Sequence, residues 1–136
     1  NYIDWYELDP EIVESCYRNL PKVCSKVKKS NTVNTFWGDA FESIKSVEDS
    51  KYDKIFVDLN DDQYCIDLAR KNMKGLKRIL KPGGVITVQV GSKDKKPKQV
   101  ENWCKILEKS FGNVNISGVH IPSFDCNWNF ASSIMK

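Results

Sequence analysis

Short apolar runs and amphipathic stretches alternate along the chain from its first residues to its last. Residues 2–8 carry Tyr2, Ile3, Trp5 and Tyr6 and predict a strand ending at Glu7-Leu8-Asp9-Pro10. Asp9 followed by Pro10 is a helix start, the acid as N-cap and the proline at the first helical position; Ile12, Val13, Cys16 and Leu20 then recur at helical spacing. The polar stretch up to Asn34 reads as a loop feeding a second strand over residues 33–37, and Gly38-Asp39-Ala40 turns that strand into a helix over 41–47. Ile55, Phe56 and Val57 read as a buried strand of a parallel sheet. Ile66, Ala69, Met73, Leu76 and Leu80 predict a long amphipathic helix stopped by Lys81-Pro82-Gly83-Gly84. A strand over 85–90 follows, apolar apart from Thr87 and Gln89. Val100, Trp103, Leu107 and Phe111 mark the last helix, and strands over 114–121 and 128–135 close the chain.

This order, β-α-β-α-β-α-β-α-β-β, predicts a single α/β domain over residues 1–136. Its sheet is mostly parallel with helices on both faces, and the closing pair of strands adds an antiparallel edge. Such an ending is typical of the methyltransferase-like Rossmann fold. Open α/β sheets bind ligands at the carboxyl ends of their strands, and Asp58-Leu59-Asn60-Asp61-Asp62 begins where the Val57 strand stops. Carboxylates this close repel one another, so the cluster is solvated, paired or built to meet a cation. A cationic or proton-donating substrate is one reading; a solvated loop that caps the next helix is the other.

Composition narrows the classes. With 40% hydrophobic and 29% charged residues the chain is an ordinary globular one, and no apolar run approaches the roughly 20 residues that span a bilayer. A net charge of +3 is too small to argue for nucleic acid; the stretches Lys22 to Lys29 and Lys93 to Lys98 sit beside Pro, Ser or Asp and read as solvated loops. Cys16, Cys24, Cys65, Cys104 and Cys126 are odd in number and widely spread, which suits a reducing, cytoplasmic setting and offers no zinc pattern; His120 is the lone histidine. No metal site is expected.

Five motifs stand at successive strand ends: Glu7-Leu8-Asp9-Pro10, Gly38-Asp39-Ala40, Asp58-Leu59-Asn60-Asp61, Pro82-Gly83-Gly84 with Val88-Gln89 behind it, and Ile121-Pro122-Ser123-Phe124 before Trp128-Asn129-Phe130-Ala131. In this order the chain resembles the spermidine synthase (aminopropyltransferase) family from its second strand onward. The resemblance implies that Glu7 binds the ribose hydroxyls of the nucleoside and Asp39 receives its adenine amino group. It makes Asp58 the acceptor of the proton from the attacking amine, Asp61 a partner along the amine chain, and Gln89 and Phe124 further pocket residues, Phe124 standing where the family has a tyrosine. Glu7, Asp39 and Asp58 are expected on one edge of one parallel sheet. Leu59-Asn60 replaces the family's paired serines, Asp62 its proline, and Gln89-Val90-Gly91 its Gln-Gly-Glu. The family's glycine-rich first strand and helix, and its small N-terminal β domain, have no counterpart here, so the chain is expected to be part of a longer polypeptide.

The function implied is transfer of the aminopropyl group of decarboxylated S-adenosylmethionine, a co-substrate rather than a resident cofactor, to putrescine or a related amine, in a homo-oligomer of the full-length protein. Two alternatives share the fold: a methyltransferase using intact S-adenosylmethionine, and a non-catalytic relative serving as a binding module. Against the first stand the acid cluster and the lack of an Asn-Pro-Pro-Tyr type motif after Val57.

Overall fold

Side-chain capping decides where three of the helices begin. The computed structural model describes residues 2–60 and 62–136. Its elements are β1 (Ile3–Glu7), α1 (Pro10–Asn19), α2 (Pro21–Lys28), β2 (Val33–Trp37), α3 (Ala40–Ser43), β3 (Tyr52–Val57), α4 (Gln63–Ile79), β4 (Leu80–Gly91), α5 (Pro97–Phe111), β5 (Asn115–Ile121) and β6 (Cys126–Ile134), with single 3-10 turns at Ile44–Ser46 and Pro122–Phe124. Asp9 caps α1 by accepting from the Glu11 amide at 2.9 Å, Asp39 caps α3, and Asp62 caps α4. The chain forms two compact units, Asn1–Ser46 and Val47–Lys136.

In the first unit β1 and β2 pair in parallel, Ile3 opposite Val33 and Glu7 opposite Trp37. Ile3, Trp5 and Val33 face Val13, Cys16 and Tyr17 of α1 and Cys24 and Val27 of α2, across an apolar cavity of about 290 Å³. On the other face Tyr6 stacks on Phe36 with ring centroids 4.9 Å apart, and the Asn34 amide donates to Asp4 at 2.9 Å. Residues 21–28, expected as loop, are the helix α2. Pro21 supplies the preset φ of a first turn and Cys24 and Val27 a short apolar stripe, a signal that the surrounding lysines mask.

In the second unit the strand order is β3-β4-β6-β5. β3 runs parallel to β4, and β6 runs antiparallel to both β4 and β5. β5 and β6 thus form the expected antiparallel closing pair, with β6 inside the sheet and β5, parallel to β3 and β4, at its edge. Alternation is sharp on β4, where Ile86, Val88 and Val90 are buried and Thr87 and Gln89 half-buried. The buried side packs under Ile66, Ala69, Met73 and Leu76 of α4 and Val100, Trp103, Leu107 and Phe111 of α5, which also contact each other. Phe56 departs from its expected burial: among the described residues β3 pairs with β4 alone, Val57 is buried on one face and Phe56, on the other, is 75% exposed.

Leu80, expected as the last helical residue, has already left α4. Pro82 disfavours helical geometry at Lys81, and Leu80 before it already has an extended ψ of 132° and pairs with Tyr52. Lys54 then pairs with Val85, so Lys81-Pro82-Gly83-Gly84 forms a bulge. Gly84 is required there: a Cβ would lie 2.8 Å from both the Leu80 side chain and the Lys81 carbonyl oxygen. A second close approach joins β5 to β6, where Gly118 faces Asn129 and leaves room for its buried amide.

Candidate functional site

Glu7 ends β1, and the Gly38 amide just past β2 donates to the Glu7 carbonyl at 2.9 Å, so Glu7 and Asp39 stand side by side at the carboxyl edge of the first sheet. Each has one carboxylate oxygen occupied locally. Glu7 Oε1 accepts from the Asp9 amide at 3.0 Å, and Asp39 Oδ1 accepts from the Phe41 amide at 2.7 Å and more loosely from Glu42. A carboxylate offers two oxygens and about four lone-pair sites, so both acids keep capacity for a hydroxyl or amino donor.

The acid cluster divides its duties. Asp62 Oδ1 accepts from the Cys65 amide at 2.7 Å and serves as the helix cap. Desolvation, with Asp62 beside it, pushes the Cys65 thiol above its ordinary pKa. Asp58, directly after β3, is exposed and takes no hydrogen bond or ion pair among the described residues. Asp61 lies outside the described residues.

Because β6 runs against its neighbours, the carboxyl ends of β3, β4 and β5 share one edge. Asp58 follows β3 there. Gln89 lies two residues before the end of β4, one position beyond the Val57–Val88 pair and opposite Phe130. Phe124 closes the turn after β5, half exposed, its ring 4.6 Å from that of Trp128. Trp128 and Phe130 alternate with the buried Asn129 and Ala131, so Gln89, Phe130 and Trp128 lie on the sheet face opposite α4 and α5. Among these positions the second unit thus gathers a carboxylate, an amide and an aromatic ring along one edge.

Glu7, Asp39 and Asp58 were expected to end strands of one sheet. Among the described residues they end strands of two, because β1 pairs only with β2 and β3 only with β4. The apolar cavity beneath α1 and α2 is lined by none of the candidate site residues Glu7, Asp39, Asp58, Gln89 and Phe124. Two contacts at the second edge were not anticipated. The Lys93 amide donates to Asn129 Oδ1 at 2.8 Å and the Lys95 ammonium donates to the Phe124 carbonyl at 2.7 Å. The only sequence signal was the Trp128-Asn129-Phe130-Ala131 motif itself.

A strand-helix alternation with acids at the strand ends and a closing antiparallel strand inside the sheet defines the methyltransferase-like Rossmann class. Two solved structures share that fold: spermidine synthase from Thermotoga maritima, with a TM-score of 0.85 and 13% identity over 99% of this chain and 46% of that one, and a spermidine synthase in complex with the transition state analogue AdoDATO, with a TM-score of 0.86 and 13% identity over 99% and 47%. The spermine/spermidine synthase domain model matches residues 1–136, and the chain belongs to that family. Polyamine aminopropyltransferases of Prochlorococcus marinus are 30% identical in strain NATL1A and 27% in strain MIT 9301, each over 96% of this chain. The chain spans about half the length of these curated relatives, 47% and 48%. No helix among the described residues is long and apolar enough to cross a membrane.

Proposed function

We propose that residues 1–136 belong to one catalytic domain of an aminopropyltransferase that moves the aminopropyl group of decarboxylated S-adenosylmethionine to putrescine or a closely related diamine. Glu7 and Asp39 hold the ribose and adenine of the donor, Gln89 and Phe124 border the amine, and Asp61 pairs with its distal ammonium. The amine nitrogen attacks the methylene beside the sulfonium. A C–N bond forms, the C–S bond breaks with its electron pair neutralising sulfur, methylthioadenosine leaves, and the nitrogen's surplus proton passes to Asp58. The nucleophile must be neutral while the rest of the acceptor stays cationic, and carboxylates meet both needs.

The observation that carries this reading is the division of labour in the acid cluster. Asp62 is the cap, and among the described residues Asp58 takes no hydrogen bond or ion pair, at a strand end where such sheets bind ligands. Family membership and the names of the curated relatives support the same chemistry.

In the complete protein, Asp58→Asn keeps the shape and removes the proton acceptor. Turnover should fall about a hundredfold or more, as positioned general bases contribute roughly 10² to 10⁴ in rate, while calorimetric affinity for the donor is unchanged. Full activity in the variant would sink the assignment of Asp58. A wild-type protein that binds intact S-adenosylmethionine tightly and transfers no aminopropyl group would be a methyltransferase instead, and one that binds neither nucleoside a non-catalytic module.

A further inference from the structure

The loop between β4 and α5 is unusually well fastened for a run of lysines. Its root, Ser92, is buried at 1% exposure. The Lys96 amide donates to the Ser92 carbonyl at 2.7 Å, and the Lys93 amide donates to Asn129 Oδ1 at 2.8 Å, Asn129 itself being buried in β6. Lys95 therefore extends from a fixed base. Its ammonium donates to the Phe124 carbonyl at 2.7 Å, joining the loop after β4 to the turn after β5 along the same edge.

The segment it reaches is one that needs holding. Pro122–Phe124 is a single 3-10 turn, closed by an Asp125 amide to Pro122 carbonyl bond of 3.2 Å. Asp125 sits in the left-handed region at φ 46°, a conformation that a non-glycine residue adopts at some energetic disadvantage. The Phe124 ring rests on Trp128, so ring and carbonyl are held from two directions.

We propose that Lys95 is a positioning residue for the acceptor amine, a latch that fixes the turn bearing Phe124 and so preorganises the amine side of the pocket; this rests on the aminopropyltransferase reading of that edge. Lys95 touches no reacting atom. It acts by removing the freedom that Phe124 would otherwise lose when the amine binds. The contact joins positions 29 residues apart, and the charge strengthens the bond to a carbonyl that would otherwise face water.

The test compares wild type, Lys95→Met and Lys95→Arg in the complete protein, with putrescine varied at saturating donor. Lys95→Met should raise the KM for putrescine about threefold to tenfold, the worth of one exposed charge-assisted bond, with kcat and the donor KM within twofold of wild type. Lys95→Arg, which can still donate to the carbonyl, should return the KM to near the wild-type value. A second readout does not depend on activity: amide exchange of Asp125, whose N–H closes the turn, should quicken in Lys95→Met and not in Lys95→Arg. Unchanged exchange in Lys95→Met overturns the latch whatever the kinetics. Quickened exchange with an unchanged putrescine KM, or a fall in kcat alone, overturns its role in amine positioning. A wild-type protein that transfers to no amine removes the functional reading, and the exchange result then decides the latch by itself.

Discussion

Replacing Gly118 by alanine tests how tightly the β5–β6 pair is built around Asn129. The added Cβ would stand 2.9 Å from Asn129 Nδ2 and 3.7 Å from the Trp128 carbonyl, and ordinary contact begins at 3.4 Å. The amide must therefore retreat by about 0.5 Å, and a flexible side-chain end could do so at little cost were it not tethered. Asn129 Oδ1 is held by the Lys93 amide at 2.8 Å. A retreat of that size stretches the bond past the useful range of roughly 3.2 Å. Losing it at a part-buried position destabilises by about 1–3 kcal/mol. Alanine in place of glycine restricts the unfolded chain and returns about 0.4–1 kcal/mol. The net expectation is a loss of about 1–2 kcal/mol, measured by urea unfolding of the complete protein, with faster amide exchange at Lys93. In an Asn129→Ala background the same substitution has nothing to displace and should be neutral or slightly stabilising. An equal loss in both backgrounds would refute the reasoning, since the clash would then lie with the backbone.

Asp39→Asn keeps a competent N-cap and should leave unfolding unchanged while weakening calorimetric binding of the donor nucleoside, whereas Asp39→Ala should also lower stability by about 1 kcal/mol. Ser133 Oγ is buried with no hydrogen-bond partner among the described residues, so Ser133→Ala should hold or raise stability by up to about 1 kcal/mol in the same urea assay. Lys81, bonded to Asp53 at 2.9 Å, holds the Asp53 carboxyl below the usual carboxylate range. Because the folded value is depressed, any stabilisation from this exposed pair is present at neutral pH and disappears as pH falls through that lowered value; an NMR titration should show the low pKa and its return to normal in Lys81→Met.

Periodicity made α4 and α5 legible, because Ile66 to Leu76 and Val100 to Phe111 repeat at helical spacing and are buried as that spacing requires. The same method passed over α2, whose apolar stripe is too short to stand out among four lysines, and kept Leu80 in the helix because periodicity does not see Pro82 acting on the residues before it. Strand order was beyond reach: nothing local to β6 says that it enters between β4 and β5 rather than at the edge. Asp58 was legible as a site candidate since strand ends are easily read. That Asp62 rather than Asp58 caps α4 is a matter of loop geometry that local pattern does not carry. The Lys93–Asn129 and Lys95–Phe124 contacts join residues 36 and 29 positions apart and leave no trace in local pattern.

The direction of β5 turns the second sheet into a molecular ruler. Gly112, before β5, and Lys136, after β6, share the edge away from Asp58, and a Cβ on Gly112 would lie 3.6 Å from Lys136 Nζ. Asn113 is exposed at that edge. A fluorescent reporter there would sit one strand length from the Phe124 turn, and the seven residues of β5 at about 3.3 Å each set the separation at roughly 23 Å. That spacing suits energy transfer from an indole, so with Trp5, Trp37 and Trp103 replaced a label at Asn113 would report on Trp128 at the opposite edge without obstructing it.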